Sequence, residues 1–451
     1  MIKLFLYFRT IRYLKIKQVF YLIYYKFFKP YFKINDAKLN PINFYNTKLN
    51  FISSNFISIK KSNIEFNFLN KKKSFHKYSI NWNYDSFGKL WTYNLNYFDF
   101  ISEFNVDEAS KLLKCYFSQM HNLKCGLESY PTSLRIINLI KYSLINNFYS
   151  TDLIQILKSD YKRLSKRLEI HIQANHLLEN YFALYFASIY FNEIKFKNKI
   201  TRLLISEINE QFDINGFHYE NSFMYHSILL NRLIDIYTLS IEKNINDKKF
   251  INLLKNIILK GINVMKEFDV NGKLPNFNDS NSQGTISLKK LINKLKGFDE
   301  FTIYKTKFIP INYFKLINEN FKVFADYANI SPTYQPSHSH ADTFNFIFYF
   351  KNKIIVVDPG VSTYEKNDLR ELQRSTLYHN TITYDNHNSS EVWGGFRCGK
   401  RANILNLKSE ANKVSAIHDG YKHLDCYHNR EINLNNNSLI ISDFIKEIKN
   451  R

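Results

Sequence analysis

The sequence predicts a multidomain α+β protein, with a helical domain followed by an antiparallel β domain. Three observations predict it. Gly and Pro are scarce, at 12 and 8 of 451 residues, so long elements are expected rather than chains of tight hairpins. Apolar residues recur at i, i+3, i+4 spacing between about 105 and 300. Beyond that region the period shortens to that of strands, with Asn-rich turns.

Residues 1–90 read as a basic, aromatic and partly helical N-terminal segment. Its opening, MIKLFLYFRTIRYLKIKQVFYLIYYKFFKP (1–30), is interrupted by charge every few residues, and no small-residue cleavage site follows. It reads poorly as a signal peptide. An amphipathic helix at a membrane surface and a helix packed on its own domain both remain open. No apolar run approaches the length of a membrane span. Residues 31–90, with the run Lys71, Lys72, Lys73, read as connecting structure.

Residues 91–310 are expected to form the helical domain. Asp107 is placed to N-cap VDEASKLLKCYFSQM. Apolar faces recur in SLRIINLIKYSLI, HLLENYFALYFASIYF, SILLNRLIDIYTLSI and FINLLKNIILKGINVM. Residues 311–451 are expected to form the β domain, from TFNFIFYF, IIVVD, NTITYD, KVSAIHD and REINLNNNSLIISDF. The chain stops directly after a strand, so this domain is expected to be incomplete.

The net charge is +22, from 62 Lys and Arg against 40 Asp and Glu. Such a field favours polyanions: nucleic acid, anionic lipid or acidic glycan. No zinc-finger, RRM, helix-turn-helix or basic-arm pattern supports nucleic acid. The cysteines Cys115, Cys125, Cys398 and Cys426 form no C-x-x-C pair, which excludes a disulfide framework or a cysteine zinc site.

Four polar clusters interrupt apolar surroundings: 175–180, 218–226, 338–342 and 374–380, with Asp358 between the last two. His338 and His340 would share a face of an extended segment. HSHAD begins like the H-x-H-x-D-H metallohydrolase signature, but Thr343 stands where the next His is needed. His340, Asp358 and His379 are sensible zinc ligands by type. By spacing alone they read as ordinary hydrogen-bonded residues near a cleft. Tyr225 alone reads as a helix-face tyrosine, and Asn175 as a helix N-cap.

Eight blocks occur in one order: LWTYNLNYFDF (90–100), ESYPTSLRIIN (128–138), ANHLLEN (174–180), FHYENSFMYH (217–226), LPNFNDS (274–280), SHADTFNF (339–346), VVDPGVSTYE (356–365) and RSTLYHNTITYD (374–385). Together they resemble heparinase II/III-like proteins. The resemblance implies an incomplete α/α toroid followed by an antiparallel β-sandwich, and β-eliminative cleavage of a uronate-containing acidic polysaccharide. In that chemistry a base removes the C5 proton, an acid protonates the leaving oxygen, and a donor neutralises the carboxylate.

The resemblance further implies Tyr225 as catalytic base and acid and His338 as base for one uronate epimer. It implies Asn175 or His176 as the cap on the substrate carboxylate. His340, Asp358 and His379 would bind a structural Zn2+. Glu220, Arg374 and Asn380 are candidate substrate contacts, and Trp91, Tyr93, Tyr97 and Trp393 are candidates to stack on sugar rings. The family implies a cell-envelope or periplasmic location, whereas an N-terminus that is not a signal implies the cytoplasm. A non-catalytic, biosynthesis-associated glycan-binding protein is the alternative.

Overall fold

The computed structural model describes residues 2–28, 39–42, 47–52, 56–60, 62–245, 247–301 and 307–447. Parts of the 1–90 segment, including residues 29–30 of the basic opening, and the final residues 448–451 lie outside them. The chain divides into two compact units that alternate along the sequence. One comprises Lys17–Glu210 and Arg232–Leu254, the other Met1–Ile16, Gln211–Asn231 and Lys255–Arg451.

The first unit is mostly helical. After α1 (Ile2–Ile11), which belongs to the other unit, come α2 (Ile16–Phe27), α3 (Lys89–Tyr97), α4 (Val106–Gln119), α5 (Ser129–Asn146), α6 (Thr151–Lys166), α7 (Ala174–Tyr190) and α8 (Ile194–Gln211). The N-cap of α4 is Asn105, whose side chain accepts from the Glu108 N–H. Asp107 instead sits in the first turn, where a carboxylate meets the positive end of the helix dipole. Helix α5 packs against α3, α6 and α7 and is buried on nearly every side. It ends where Asn147 turns left-handed at φ 48.

Burial on all sides forces the polar residues of α5 to find partners. Arg135 forms a fork with Asp160 of α6 at 2.6 and 2.9 Å, and donates to the carbonyls of Asn96 and Gly126. Both side chains of the pair are fully buried. Removing one partner of such a pair strands the other charge. Asp160→Ala is therefore expected to cost about 3–5 kcal/mol, read as a lowered urea midpoint.

Residues expected to be connecting structure contain an antiparallel meander. Strands β1 (Ile57–Lys60), β2 (Asn63–Phe68) and β3 (Lys71–His76) pair in that order. Strand β2 buries Ile64, Phe66 and Phe68 on one face. That alternation is the period-2 signal, masked in the sequence by the Lys run. The lysines occupy the edge strand β3, where charge opposes further strand pairing.

The second unit contains α1, the start of α9 (Phe223–Glu242), most of α10 (Lys248–Phe268), α11 (Leu288–Leu295), α12 (Asp368–Arg374) and the sheets. One four-stranded antiparallel sheet is β4 (Tyr313–Ile317), β5 (Phe321–Asp326), β6 (Phe346–Phe350) and β7 (Lys353–Val356). The hairpin β8 (Val392–Trp393) and β9 (Arg397–Cys398) precedes a second four-stranded sheet, β10 (Ile404–Ser409), β11 (Lys413–His418), β12 (Cys426–Leu434) and β13 (Leu439–Glu447). Phe314, Leu316 and Val323 of the first sheet share one buried core with Val414, Ile432 and Leu434 of the second, so the two are a sandwich. NTITYD, expected to be a strand, is loop with a single bridge between Tyr384 and His387. Its residues instead tie to the first sheet: the Asn380 amide donates to the carbonyls of Phe346 and Val357.

Candidate active site

Chemistry-bearing residues of the second unit converge from loops that the sandwich holds in place. They are residues 274–280 after α10, 327–345 between β5 and β6, 357–367 after β7, and the segment following α12. Glycine is required at one crossing. Gly360 has φ +65, and a Cβ there would lie 2.1 Å from the Ser280 carbonyl. Ser280 O also accepts the Val361 N–H at 3.0 Å. The third loop is thereby fixed to the first.

Asp279 is the hub. Its fully buried carboxylate accepts from His338 Nδ1 and His340 Nε2, each at 2.8 Å, and takes a bidentate fork from Arg370, with Nη2 at 2.7 Å. Burial alone would raise this carboxyl, but the Arg370 guanidinium and the hydrogen bonds outweigh it and hold it well below the usual carboxylate range. His338 is thus fixed as the Nδ1–H tautomer, which makes Nε2 its basic nitrogen.

Tyr225 lies in the first turn of α9. Its ring sits 4.0 Å from the His338 ring, centroid to centroid, and its hydroxyl is 3.3 Å from that of Tyr364. Burial, then Tyr364 and Asp279, raise the Tyr225 phenol well above its ordinary value. Tyr225 therefore rests as a neutral phenol. Arg370 lies 5.2 Å from the centroids of both the Tyr364 and Phe396 rings. Glu220 is buried, 3.6 Å from His218, and its charge adds to the rise at Tyr225.

Two further histidines lie beneath this cluster. His226 is fully buried, accepts the His218 N–H at 3.3 Å and donates to the Gly261 carbonyl at 3.2 Å. Burial lowers its pKa to about 4. Because the folded value lies below the unfolded one, the native state binds fewer protons. Stability is then complete above the unfolded pKa and falls as pH drops toward about 4. From the reference value of about 6.5, the loss from this residue between pH 7 and pH 5 is about 2 kcal/mol. Guanidinium unfolding at the two pH values should show it, and the gap should shrink in His226→Gln.

Two of the three metal-ligand candidates, His340 and His379, come together, with Asp342 in the place expected of Asp358. His340 donates from Nε2 to Asp279, and His379 donates from Nδ1 to Asp358 at 3.2 Å. The remaining lone pairs, His340 Nδ1 and His379 Nε2, then face each other at 3.2 Å. A proton or a metal cation between them satisfies both nitrogens. The separation matches the ~3.3 Å expected of two nitrogens on one tetrahedral zinc. His340, Asp342 and His379 bring ligand atoms within 4.8 Å of one another, and Oδ2 of Asp342 is buried without a hydrogen-bond partner. Burial pushes the Asp342 carboxyl up to about 6. The residues fit a divalent cation. In this arrangement Asp342 completes the ligand group, while Asp358 orients His379, as carboxylates behind ligating imidazoles commonly do. Chelation is expected to lower the thermal midpoint by several degrees, restored by zinc. An unchanged midpoint would remove the metal from the account.

Other candidates have different surroundings. Arg374 is fully buried and donates to the carbonyls of Ser339, Pro336 and Arg397, so it braces the histidine loop from within. Trp91 is fully buried against Phe68, Tyr84 and Phe87, with its N–H on the Lys71 carbonyl, and offers no face to a sugar. Tyr93 is half-buried beside Glu128, and burial raises its phenol. Tyr97 is buried. Trp393 packs on α1 through Tyr7 and Thr10.

In the helical unit, Asn175 follows two consecutive non-glycine residues with left-handed backbone, Gln173 (φ 70) and Ala174 (φ 52). Strain of this kind, about 1–3 kcal/mol per residue, persists where the surroundings impose it, often at functional sites. The N-cap of α7 is Gln173 and not Asn175, so the capping role falls away. His176 stacks on Tyr130 at 4.4 Å and lies 3.2 Å from Glu169.

Sequence reasoning missed Asp279, Tyr364, Arg370 and the ligand role of Asp342. Asp279 and Tyr364 lie inside recognised blocks, LPNFNDS and VVDPGVSTYE, and were among several polar residues there without a role. Arg370 lies in an unremarkable amphipathic helix and carried no signal.

The chain thus combines a helical unit with a sandwich whose loops gather His, Asp and Tyr around a buried His–Asp–His group. The description "Heparinase II/III N-terminus" matches residues 130–304, and "Heparinase II/III-like, C-terminal" matches residues 305–451. The chain belongs to the heparinase II/III-like family. No protein of curated function matches it. A crystal structure of heparinase III superposes with a TM-score of 0.58 at 17% identity, covering 82% of this chain and 65% of that one. A second heparinase III structure gives 0.54 at 16%, covering 82% and 67%. This chain thus spans slightly under two thirds of the first. The likeness is one of fold: an incomplete α/α toroid followed by an antiparallel β-sandwich.

Proposed function

We propose that the protein is a polysaccharide lyase that cleaves a uronate-containing acidic polysaccharide by β-elimination. The observation that carries this reading is the Asp279–His338–Tyr225–Tyr364 arrangement. It pairs a base with a neutral phenol on one small surface, as elimination requires. His338 Nε2 takes the C5 proton. Its Nδ1–H stays on Asp279, whose negative charge stabilises the imidazolium that forms. Tyr225, held as a phenol, protonates the departing glycosidic oxygen. With its phenol raised by burial, Tyr225 fits the role of acid and not that of base. Asn175 or His176 would neutralise the substrate carboxylate; an amide does so without competing for the proton.

Zn2+ is the ion best suited to two imidazoles and a carboxylate. When bound, it would supply a fixed positive charge that holds the His340 and His379 loops together beneath the site. The family membership and the +22 charge favour an acidic glycan, and a cell-envelope location goes with such a substrate.

The test incubates the purified chain with a panel of uronate polysaccharides and follows ultraviolet absorbance of the new C4–C5 double bond. A rise on one substrate establishes the reaction and its class. The second reading, a glycan-binding protein without turnover, is favoured by the net charge, which retains polyanions whatever the chemistry. Binding across the panel with no absorbance on any member would support it.

A further inference from the structure

Helix α1 is held to the second unit along one side. Tyr7 meets Trp393 edge-on at 4.9 Å, and the Trp393 N–H donates to the Thr10 hydroxyl at 3.1 Å. Arg9 Nε donates to Glu391 at 2.8 Å. Just past the helix, the Arg401 guanidinium lies 3.7 Å over the Tyr13 ring. This tether leaves the other side of α1 to solvent. Leu4 (74%), Phe5 (58%), Phe8 (73%) and Ile11 (51%) are exposed. Positions 4, 8 and 11 recur at i, i+4, i+7 and so form one stripe. Helix α2, taken by itself, repeats the pattern: it buries Gln18 and Tyr25 and exposes Phe20, Ile23 and Phe27.

An exposed apolar stripe of this kind marks a binding face. Charge selects its occupant. Eight Lys and Arg precede the first acidic residue, Asp36. Arg12, Lys17 and Lys26 are exposed. A second copy of the same face would bring like charges together. No helix among the described residues is long and apolar enough to cross a membrane. We propose that α1 docks on an anionic lipid surface, with its Leu, Phe and Ile stripe at the acyl boundary and the neighbouring Lys and Arg among the headgroups. The Trp393 and Glu391 contacts fix the rotation of α1 about its axis, so its stripe faces outward before lipid is met. The inference is independent of the lyase reading.

The test is co-sedimentation of the full chain with phosphatidylcholine vesicles, with and without phosphatidylglycerol. Binding is expected only when phosphatidylglycerol is present, and it should persist in part at raised salt, because the apolar contact is not screened. Leu4→Gln/Phe8→Gln should lower the partition coefficient by about tenfold or more, with circular dichroism unchanged, since both side chains are exposed. Arg12→Gln/Lys17→Gln should weaken binding most at low salt. The proposal is overturned by absence of binding to either vesicle or by wild-type binding of the Leu4/Phe8 variant. It is equally overturned if sedimentation velocity finds a dimer that this variant dissociates, since the stripe would then be an interface between copies.

Discussion

Tyr225→Phe is expected to lower eliminative cleavage by about a hundred- to ten-thousand-fold, the usual range for a positioned proton donor or acceptor. Only the hydroxyl is removed. The ring stays against His338 at 4.0 Å, so the first turn of α9 and the imidazole keep their positions. The lost contact is the 3.3 Å approach to Tyr364. The Tyr225 phenol is raised well above its ordinary value, first by burial, so removing it deletes no resting charge and should leave stability within about 1 kcal/mol. The measurement is initial rate by ultraviolet absorbance, with thermal unfolding of the same preparation. A variant that turns over at the wild-type rate would end the role given to Tyr225.

The second large effect is expected at Asp279. Asp279→Asn nearly preserves shape but removes the charge that Arg370, His338 and His340 share. The buried guanidinium then faces a neutral amide, and at least one imidazole N–H meets an amide N–H. Breaking a buried ion pair costs about 3–5 kcal/mol. The variant should therefore unfold at markedly lower denaturant and lose activity beyond what its folded fraction explains, because His338 is no longer held as one tautomer. The same substitution separates this site from a purely structural ion pair. A structural pair would move the unfolding midpoint and leave the rate per folded molecule untouched. Mixing the Tyr225 and Asp279 changes should give less than additive loss, since both act on one proton-transfer geometry.

Much of the fold was readable because the core-facing helices carry a long, regular period. The runs of α5, α7, α9 and α10 were located directly. Strands β11, β12 and β13 were legible from alternation, as in the buried positions of β12. The meander β1–β3 was not, because Lys71, Lys72 and Lys73 on its edge strand hid the buried Ile64, Phe66 and Phe68 of the middle one. NTITYD has strand composition but carries side-chain and backbone links to the histidine loops instead of a ladder. For the site, residue types sufficed where order and identity were shared, as with Tyr225, His338, His340 and His379. They failed for contacts set by tertiary distance alone. Arg370 reaches Asp279 across 91 residues of sequence, and no local pattern announces that. Trp91 shows the converse error. An aromatic in a recognised block was assigned to sugar, while the core claimed it.

Strands β5 and β6 are hydrogen-bonded neighbours, with Ala325 opposite Phe346. Every residue between them, including His338, His340 and Asp342, is an excursion from one continuous ladder. The sandwich can therefore be copied faithfully while that excursion is rewritten. Selection acting on substrate preference meets little resistance from selection acting on folding. In this architecture the chemistry carried by the excursion and the ladder that carries it are specified by different residues.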